Sequence, residues 1–95
     1  MYISVRRYQA EQMDKVIRLA QEGFVPIISQ GSGFIAYYII DQGDGKAATI
    51  SIFESQADAE VSNAMAAEWV KANLASLVSG PPDITAGEVK VHQAS

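Results

Sequence analysis

Apolar and polar positions along the chain fall into four β-prone runs and two helical ones. Tyr2, Ile3, Val5 and Tyr8 make the segment 1–8 a first strand. A polar break at Gln9 then gives way to helical periodicity. Residues placed at ~100° intervals put Met13, Val16, Ile17, Ala20, Phe24 and Ile27 on one face, with Glu11, Lys15, Arg18 and Glu22 on the other. Glu11 and Asp14 suit the positive end of the helix dipole. Gly23 and Pro26 should loosen or kink the last turns, since Pro26 has no backbone N–H to donate. The segment is expected to stop at Gly31-Ser32-Gly33.

The clearest local signal is a hairpin. Runs 34–41 and 46–54 are joined by Gln42-Gly43-Asp44-Gly45, and Asp-Gly between β-prone runs marks a type I′ turn, which needs positive φ at both central residues. Counting outward from Asp44-Gly45 pairs Ile39 with Ile50 and Tyr37 with Ile52 on one side of the sheet. The other side then pairs Ile40 with Thr49, Tyr38 with Ser51 and Ala36 with Phe53. On this register the aliphatic face should lie against the helices. The mixed face of aromatic, small and hydroxyl residues is too apolar to sit in water, although helices on one side of a sheet normally leave the other side polar. A second subunit is expected to cover it.

Ser55-Gln56-Ala57-Asp58 resembles a capping box with Asp in the Glu position. The helix it opens carries Ala59, Ser62, Ala66, Trp69, Val70, Asn73 and Leu77 on one face and is ended by Gly80-Pro81-Pro82-Asp83. A last strand is expected over 85–92, with Val89 and Val91 alternating against Glu88, Lys90 and His92. The order strand, helix, hairpin, helix, strand is that of a ferredoxin-like βαββαβ unit. Right-handed crossovers place its first and third strands at the centre of a four-stranded antiparallel sheet, with two helices on one face. Residues 1–95 read as a single domain of this α+β class.

Composition narrows the function. The chain has 95 residues, 48% of them hydrophobic, more apolar surface than one small core readily hides, which again points to a homodimer. The net charge is −4 and the seven basic residues are scattered, so no stripe exists to displace phosphate counterions and nucleic acid is not an expected partner. The absence of cysteine removes disulfides, thiolate catalysis and iron–sulfur clusters. The first residues lack the basic-then-apolar order of a secretory signal, and no run reaches the ~18 apolar residues that cross a bilayer. A cytoplasmic protein without a membrane partner is expected.

Phe24-Val25-Pro26-Ile27-Ile28 followed by Gly33-Phe34, Ser51-Ile52-Phe53-Glu54 leading to Ala66-Ala67-Glu68-Trp69-Val70, and the closing Gly87-Glu88-Val89 together resemble the dimeric α+β barrel superfamily, which includes antibiotic biosynthesis monooxygenase-like proteins. The resemblance covers nearly the whole chain. It implies a homodimer formed through the sheet face opposite the helices. It also implies a pocket between sheet and helices, lined by Trp69, that takes a small aromatic or polyketide-like molecule without a bound cofactor. Some oxygenases of the superfamily use Asn and Trp on the second helix, which makes Asn63, Trp69 and Asn73 candidates here. An amide can hydrogen-bond a phenolate oxygen, and an indole can stack on a ring or donate from its N–H. Haem-degrading relatives need a histidine on this helix, and this chain has none there. Isomerases and decyclising enzymes share the fold, and a non-catalytic homodimer that binds a small ligand or serves in assembly is the alternative.

The remaining candidates each have a plainer reading beside the functional one. His92, the single histidine, could act as a general base, but near the chain end an exposed or interface role suits it better. One imidazole without an H-E-x-x-H or facial-triad pattern makes no metal site. Trp69 can equally anchor helix to sheet, and Asn73, if buried, needs a partner that backbone can supply. Tyr38, Ser51 and Phe53 are expected at the dimer face, with a ligand cavity there as the lesser reading. Gly31-Ser32-Gly33 precedes a strand instead of opening a helix and is a turn, not a phosphate loop. Asp41 and Asp44 belong to turn chemistry.

Overall fold

The computed structural model describes residues 1–95. Strand β1 (Tyr2–Gln9) leads to α1 (Met13–Leu19), a π turn (Ala20–Phe24) and α2 (Val25–Ile28). The hairpin β2 (Phe34–Gly43) and β3 (Lys46–Phe53) follows, then α3 (Gln56–Asn73) and β4 (Asp83–Glu88). The sheet order is β2-β3-β1-β4, all antiparallel, so the first and third strands are central as the connectivity requires. This is the ferredoxin-like fold.

The hairpin turn forms as the Asp-Gly signal predicts. Asp44 and Gly45 take φ of 56° and 74°, and Gly43 pairs with Lys46. One step further the ladder slips, because a bulge between Asp41 and Gly43 leaves Gln42 without a partner. Gly43, at φ 82°, donates its N–H to the Asp41 carboxylate at 3.0 Å and holds the bulge in place. From Asp41 back to Ala36 each pair is shifted by one residue, so Tyr38 meets Ile50, Ile39 meets Thr49 and Tyr37 meets Ser51, and a second irregularity between Phe34 and Ala36 sets Phe34 opposite Phe53.

A one-residue slip reverses the faces of a strand against its partner, and this corrects the pairing counted from the turn. Tyr37, Ile39, Thr49 and Ser51 face the helices, joined by Ser4, Arg6 and Tyr8 of β1. Phe53 also turns inward, 1% exposed in the core with Phe24, Ile28 and Ala59. Ser51 and Phe53 are therefore not on the open face. That face carries Ile3, Val5, Ala36, Tyr38, Ile40, Ile50 and Ile52, with Tyr38 56% and Ile40 48% exposed. The mixed face is the one the helices cover, and the aliphatic face is bare.

The first helical segment also departs from simple periodicity. The π turn holds an extra residue, so the apolar stripe passes from Phe24 to Ile28 (2% exposed) and leaves Ile27 outward. Pro26 falls in the first turn of α2, where a missing N–H costs no helical bond. In α3 the N-cap half of the expected box forms, with Ser55 Oγ accepting from the Asp58 N–H at 3.2 Å, while the Asp58 carboxylate accepts from the Ser55 hydroxyl at 2.9 Å. Ala59, Ser62 and Ala66 are buried against the sheet as their size suggests. The helix ends at Asn73, earlier than Gly80-Pro81-Pro82, so Leu74 is the buried residue past its end. The last strand ends at Glu88, which places His92 beyond it, exposed.

Candidate functional site

Strands β1, β2 and β3, the three helices and the π turn line a cavity between sheet and helices. Two apolar clusters border it: Phe24, Ile28 and Ala66 belong to one, Met13 and Ala47 to the other. Trp69 closes one wall, with its ring centroid 5.5 Å from that of Phe24, and its indole lies over Gly23. A β-carbon at Gly23 would lie 2.9 Å from the indole, so the glycine of the π turn lets the tryptophan seat. The cavity volume is about 50 Å³. That is room for a few waters; a cavity of about 150 Å³ accepts a benzene-sized ring.

Fifteen of the twenty lining residues are hydrophobic. The other five are Arg6 on β1, Thr49 and Ser51 on β3, and Ser62 and Asn63 on α3, and the phenol groups of Tyr8 on β1 and Tyr37 on β2 add two hydroxyls to them. Arg6 is only 6% exposed. Its Nη2 donates to the Asn63 backbone carbonyl at 2.8 Å, and its Nε is buried with no hydrogen-bond partner. No Asp or Glu lines the cavity, and the one ion pair of the chain, Lys90–Glu88, is exposed elsewhere. Asn63 donates from its amide to Ser4 Oγ at 3.3 Å. Burial pushes the Tyr37 hydroxyl up to about 12, with the Thr49 side chain pulling the other way, Tyr8 adding to the rise and Arg6 opposing it. At neutral pH Tyr37 therefore keeps its proton and can donate a hydrogen bond; it is not a base.

The sequence-derived candidates separate in space. Asn63, Trp69 and Ser51 line the cavity. Asn73 is exposed, its amide donating to the Trp69 carbonyl at 2.9 Å one helical turn back. Tyr38 lies on the open face, Phe53 in the core beside the cavity, and His92 in the segment after β4. Arg6, Tyr37, Tyr8 and Thr49 were not singled out from sequence. A signal for Arg6 exists, however. Arg6 and Arg7 point to opposite sides of a central strand, so one arginine had to be covered by the helices.

No group of three or more His, Asp or Glu side chains gathers anywhere in the chain. The cavity can therefore bind and orient through Arg6, two phenols, hydroxyls and an amide, but offers no carboxylate–imidazole pair for proton transfer.

The fold is similar to that of solved ferredoxin-like proteins, among them proteins described as antibiotic biosynthesis monooxygenases and one described as dimeric. Among solved structures, this chain superposes on a protein of unknown function from Nitrosomonas europaea with a TM-score of 0.80 at 21% identity, covering 99% of this chain and 93% of that one. It superposes equally on a monooxygenase from the gene ActVA-Orf6 of Streptomyces coelicolor, in complex with nanaomycin D, with a TM-score of 0.80, 21% identity and coverage of 99% and 91%. A dimeric ferredoxin-like protein from an uncultured marine organism matches with a TM-score of 0.77 at 9% identity over the full length of both chains. No family model matches the sequence, and no curated protein matches it either. No helix is long and apolar enough to cross a membrane.

Proposed function

We propose that this protein is a homodimer that binds a small aromatic molecule between sheet and helices and oxygenates it without a bound cofactor. The observation that carries the reading is the cavity itself. It has a ring-lined apolar wall at Phe24 and Trp69, with Tyr37 edge-on to Phe24, and a set of donors comprising buried Arg6 and partly buried Tyr37 and Asn63. Donors buried in an apolar site hold a polar substituent in one orientation. In such a reaction a phenolic ring gains one oxygen atom of O₂ on its way to a quinone, and the other leaves with two hydrogens as water. The electrons come from the substrate, so the protein has only to orient the ring, stabilise its oxygen and exclude water.

The bare aliphatic face supports the dimer. Ile3, Val5, Ile50 and Ile52 are half-buried, and Tyr38 and Ile40 are exposed beside them. A contiguous apolar patch of this kind marks a protein interface.

The small volume supports a second reading, a homodimer that binds a ligand without turning it over. At about 50 Å³ the cavity must widen to admit a ring, and Trp69 is the wall that a rotamer change would move. Oxygen uptake with a panel of naphthols and anthrones decides between the two. Enzyme behaviour predicts uptake that falls at least tenfold in Trp69→Ala and in Asn63→Ala, with the dimer intact by sedimentation. Ligand-dependent quenching of the single tryptophan without oxygen uptake would leave the binding module. Unchanged turnover in both variants would remove these residues from the mechanism.

A further inference from the structure

The buried guanidinium of Arg6 has a local environment that does not balance its charge. The side chain is 6% exposed and lines the cavity. It makes one hydrogen bond, to a neutral carbonyl, and its Nε has no partner. A cation taken out of water costs several kcal/mol unless paired, and buried charges are in general paired or hydrogen-bonded throughout.

The groups facing it from every side are neutral. Ser4 and Tyr8 flank it on β1, Thr49 is its cross-strand neighbour on β3, and Asn63 lies above it on α3. Ile84, its neighbour on β4, is apolar. A second subunit on the open face would pack on the side of the sheet away from this cavity. An arginine is retained in such a place when something else supplies the negative charge.

We infer that the ligand of this cavity has an apolar ring body ending in an anionic oxygen, and that Arg6 is the residue that meets it. The inference rests on the ligand-binding reading above and adds the charge and the contact. The guanidinium keeps Nη2 on the Asn63 carbonyl, which fixes its plane, and has Nε, buried without a partner, left to donate; a charged N–H donor of this kind suits a carboxylate or phenolate oxygen. Tyr37, neutral at physiological pH, and Tyr8 line the same cavity and can donate to the same oxygen. The Phe24–Trp69 wall takes the ring.

Three probes of similar size separate the charge from the ring: naphthoate as a carboxylate, nitrophenol as a phenolate whose ionised form absorbs in the visible, and naphthylmethanol as a neutral ring. Binding is read by quenching of Trp69 fluorescence in the intact protein. The wild type is expected to bind naphthoate or nitrophenolate at least tenfold more tightly than naphthylmethanol, and to lower the apparent pKa of bound nitrophenol. Arg6→Met is expected to abolish that preference and the pKa shift while keeping its affinity for naphthylmethanol. Arg6→Lys, which retains the charge but not the fork, is expected to keep part of the preference. The tighter of the two anions tells whether the natural oxygen is a carboxylate or a phenolate. Equal affinity for all three in the wild type would overturn the anionic oxygen and leave the ring cavity standing. A preference that survives in Arg6→Met would overturn the role of Arg6. Binding of none of the three would overturn the cavity reading and this inference together.

Discussion

Arg6→Met should make the unliganded protein more stable, although it removes a hydrogen bond seen in the structure. The bond lost is the 2.8 Å contact from Nη2 to the Asn63 carbonyl, and a hydrogen bond to a charged group contributes ~1.5–3 kcal/mol. That carbonyl lies inside α3, where the amide one turn on also serves it, so it is not left bare. Against this loss stands the desolvation of an ion that is 6% exposed, with Nε unpartnered and no carboxylate lining the cavity. Replacing buried ionic groups by apolar ones of similar volume stabilises by ~1–4 kcal/mol where it has been measured. Methionine also adapts to irregular space and takes up nearly the volume that the arginine leaves. That measured gain already includes the hydrogen bonds lost, so its lower end is expected here, a gain of about 1 kcal/mol, or roughly 4–8 °C in Tm for a domain of this size. Thermal unfolding by circular dichroism is the assay, at one fixed protein concentration because a dimer's Tm depends on it. A loss of stability of about 1 kcal/mol or more in Arg6→Met would show that the guanidinium is fully compensated in the empty protein. The argument from an unbalanced charge would then fail.

Three further outcomes follow from the same structure. Ile40→Glu and Tyr38→Glu each place a charge on the bare aliphatic face, where each large apolar side chain is worth ~1.5–3 kcal/mol when covered. Sedimentation should show monomer in place of dimer, and an unchanged dimer would move the interface elsewhere. Gly33→Ala should lower stability by ~2–4 kcal/mol in urea unfolding, because Gly33 has φ 72° and a β-carbon there would collide with the Asp58 carboxylate that caps α3; wild-type stability in this variant would contradict the turn geometry. The Tyr37 hydroxyl is raised from 10.0 to about 12 by burial, so the folded state holds this proton more tightly than the unfolded chain. Its contribution is fully present below pH 10 and disappears as pH climbs toward 12, on the order of 2–3 kcal/mol in total. Denaturation at a series of alkaline pH values should show this loss, and Tyr37→Phe should flatten it.

The fold was legible because its signals are local. The Asp44-Gly45 turn, the Ser55–Asp58 cap, the small residues at Ala59, Ser62 and Ala66, and the order of elements each act within a few residues, and connectivity then leaves few ways to arrange four strands. Trp69 was legible as a cavity candidate for a related reason, since it lies on the inner stripe of a regular helix, whereas Asn63 lay off that stripe and was a candidate only through the family resemblance. Asn73 and Leu77 lay on the same projected stripe, but α3 ends at Asn73 and the projection ends with it.

Other features depended on geometry that periodicity does not carry. One unpaired residue, Gln42, shifts β3 by one against the pairing counted from the turn and exchanges its two faces, while β2 keeps Tyr37 and Ile39 toward the helices. It sends Ser51 and Phe53 inward and leaves Tyr38 and Ile40 on the bare side. One wide turn at Ala20–Phe24 replaces Ile27 by Ile28 in the core. The sequence alone thus determined which segments pair and in what order, since propensity, capping and turn chemistry are properties of neighbours along the chain. Only the tertiary structure decided which face is which, and that Arg6 is buried beside no acid. A side chain's surroundings come from residues distant in sequence, and a single bulge is enough to exchange them.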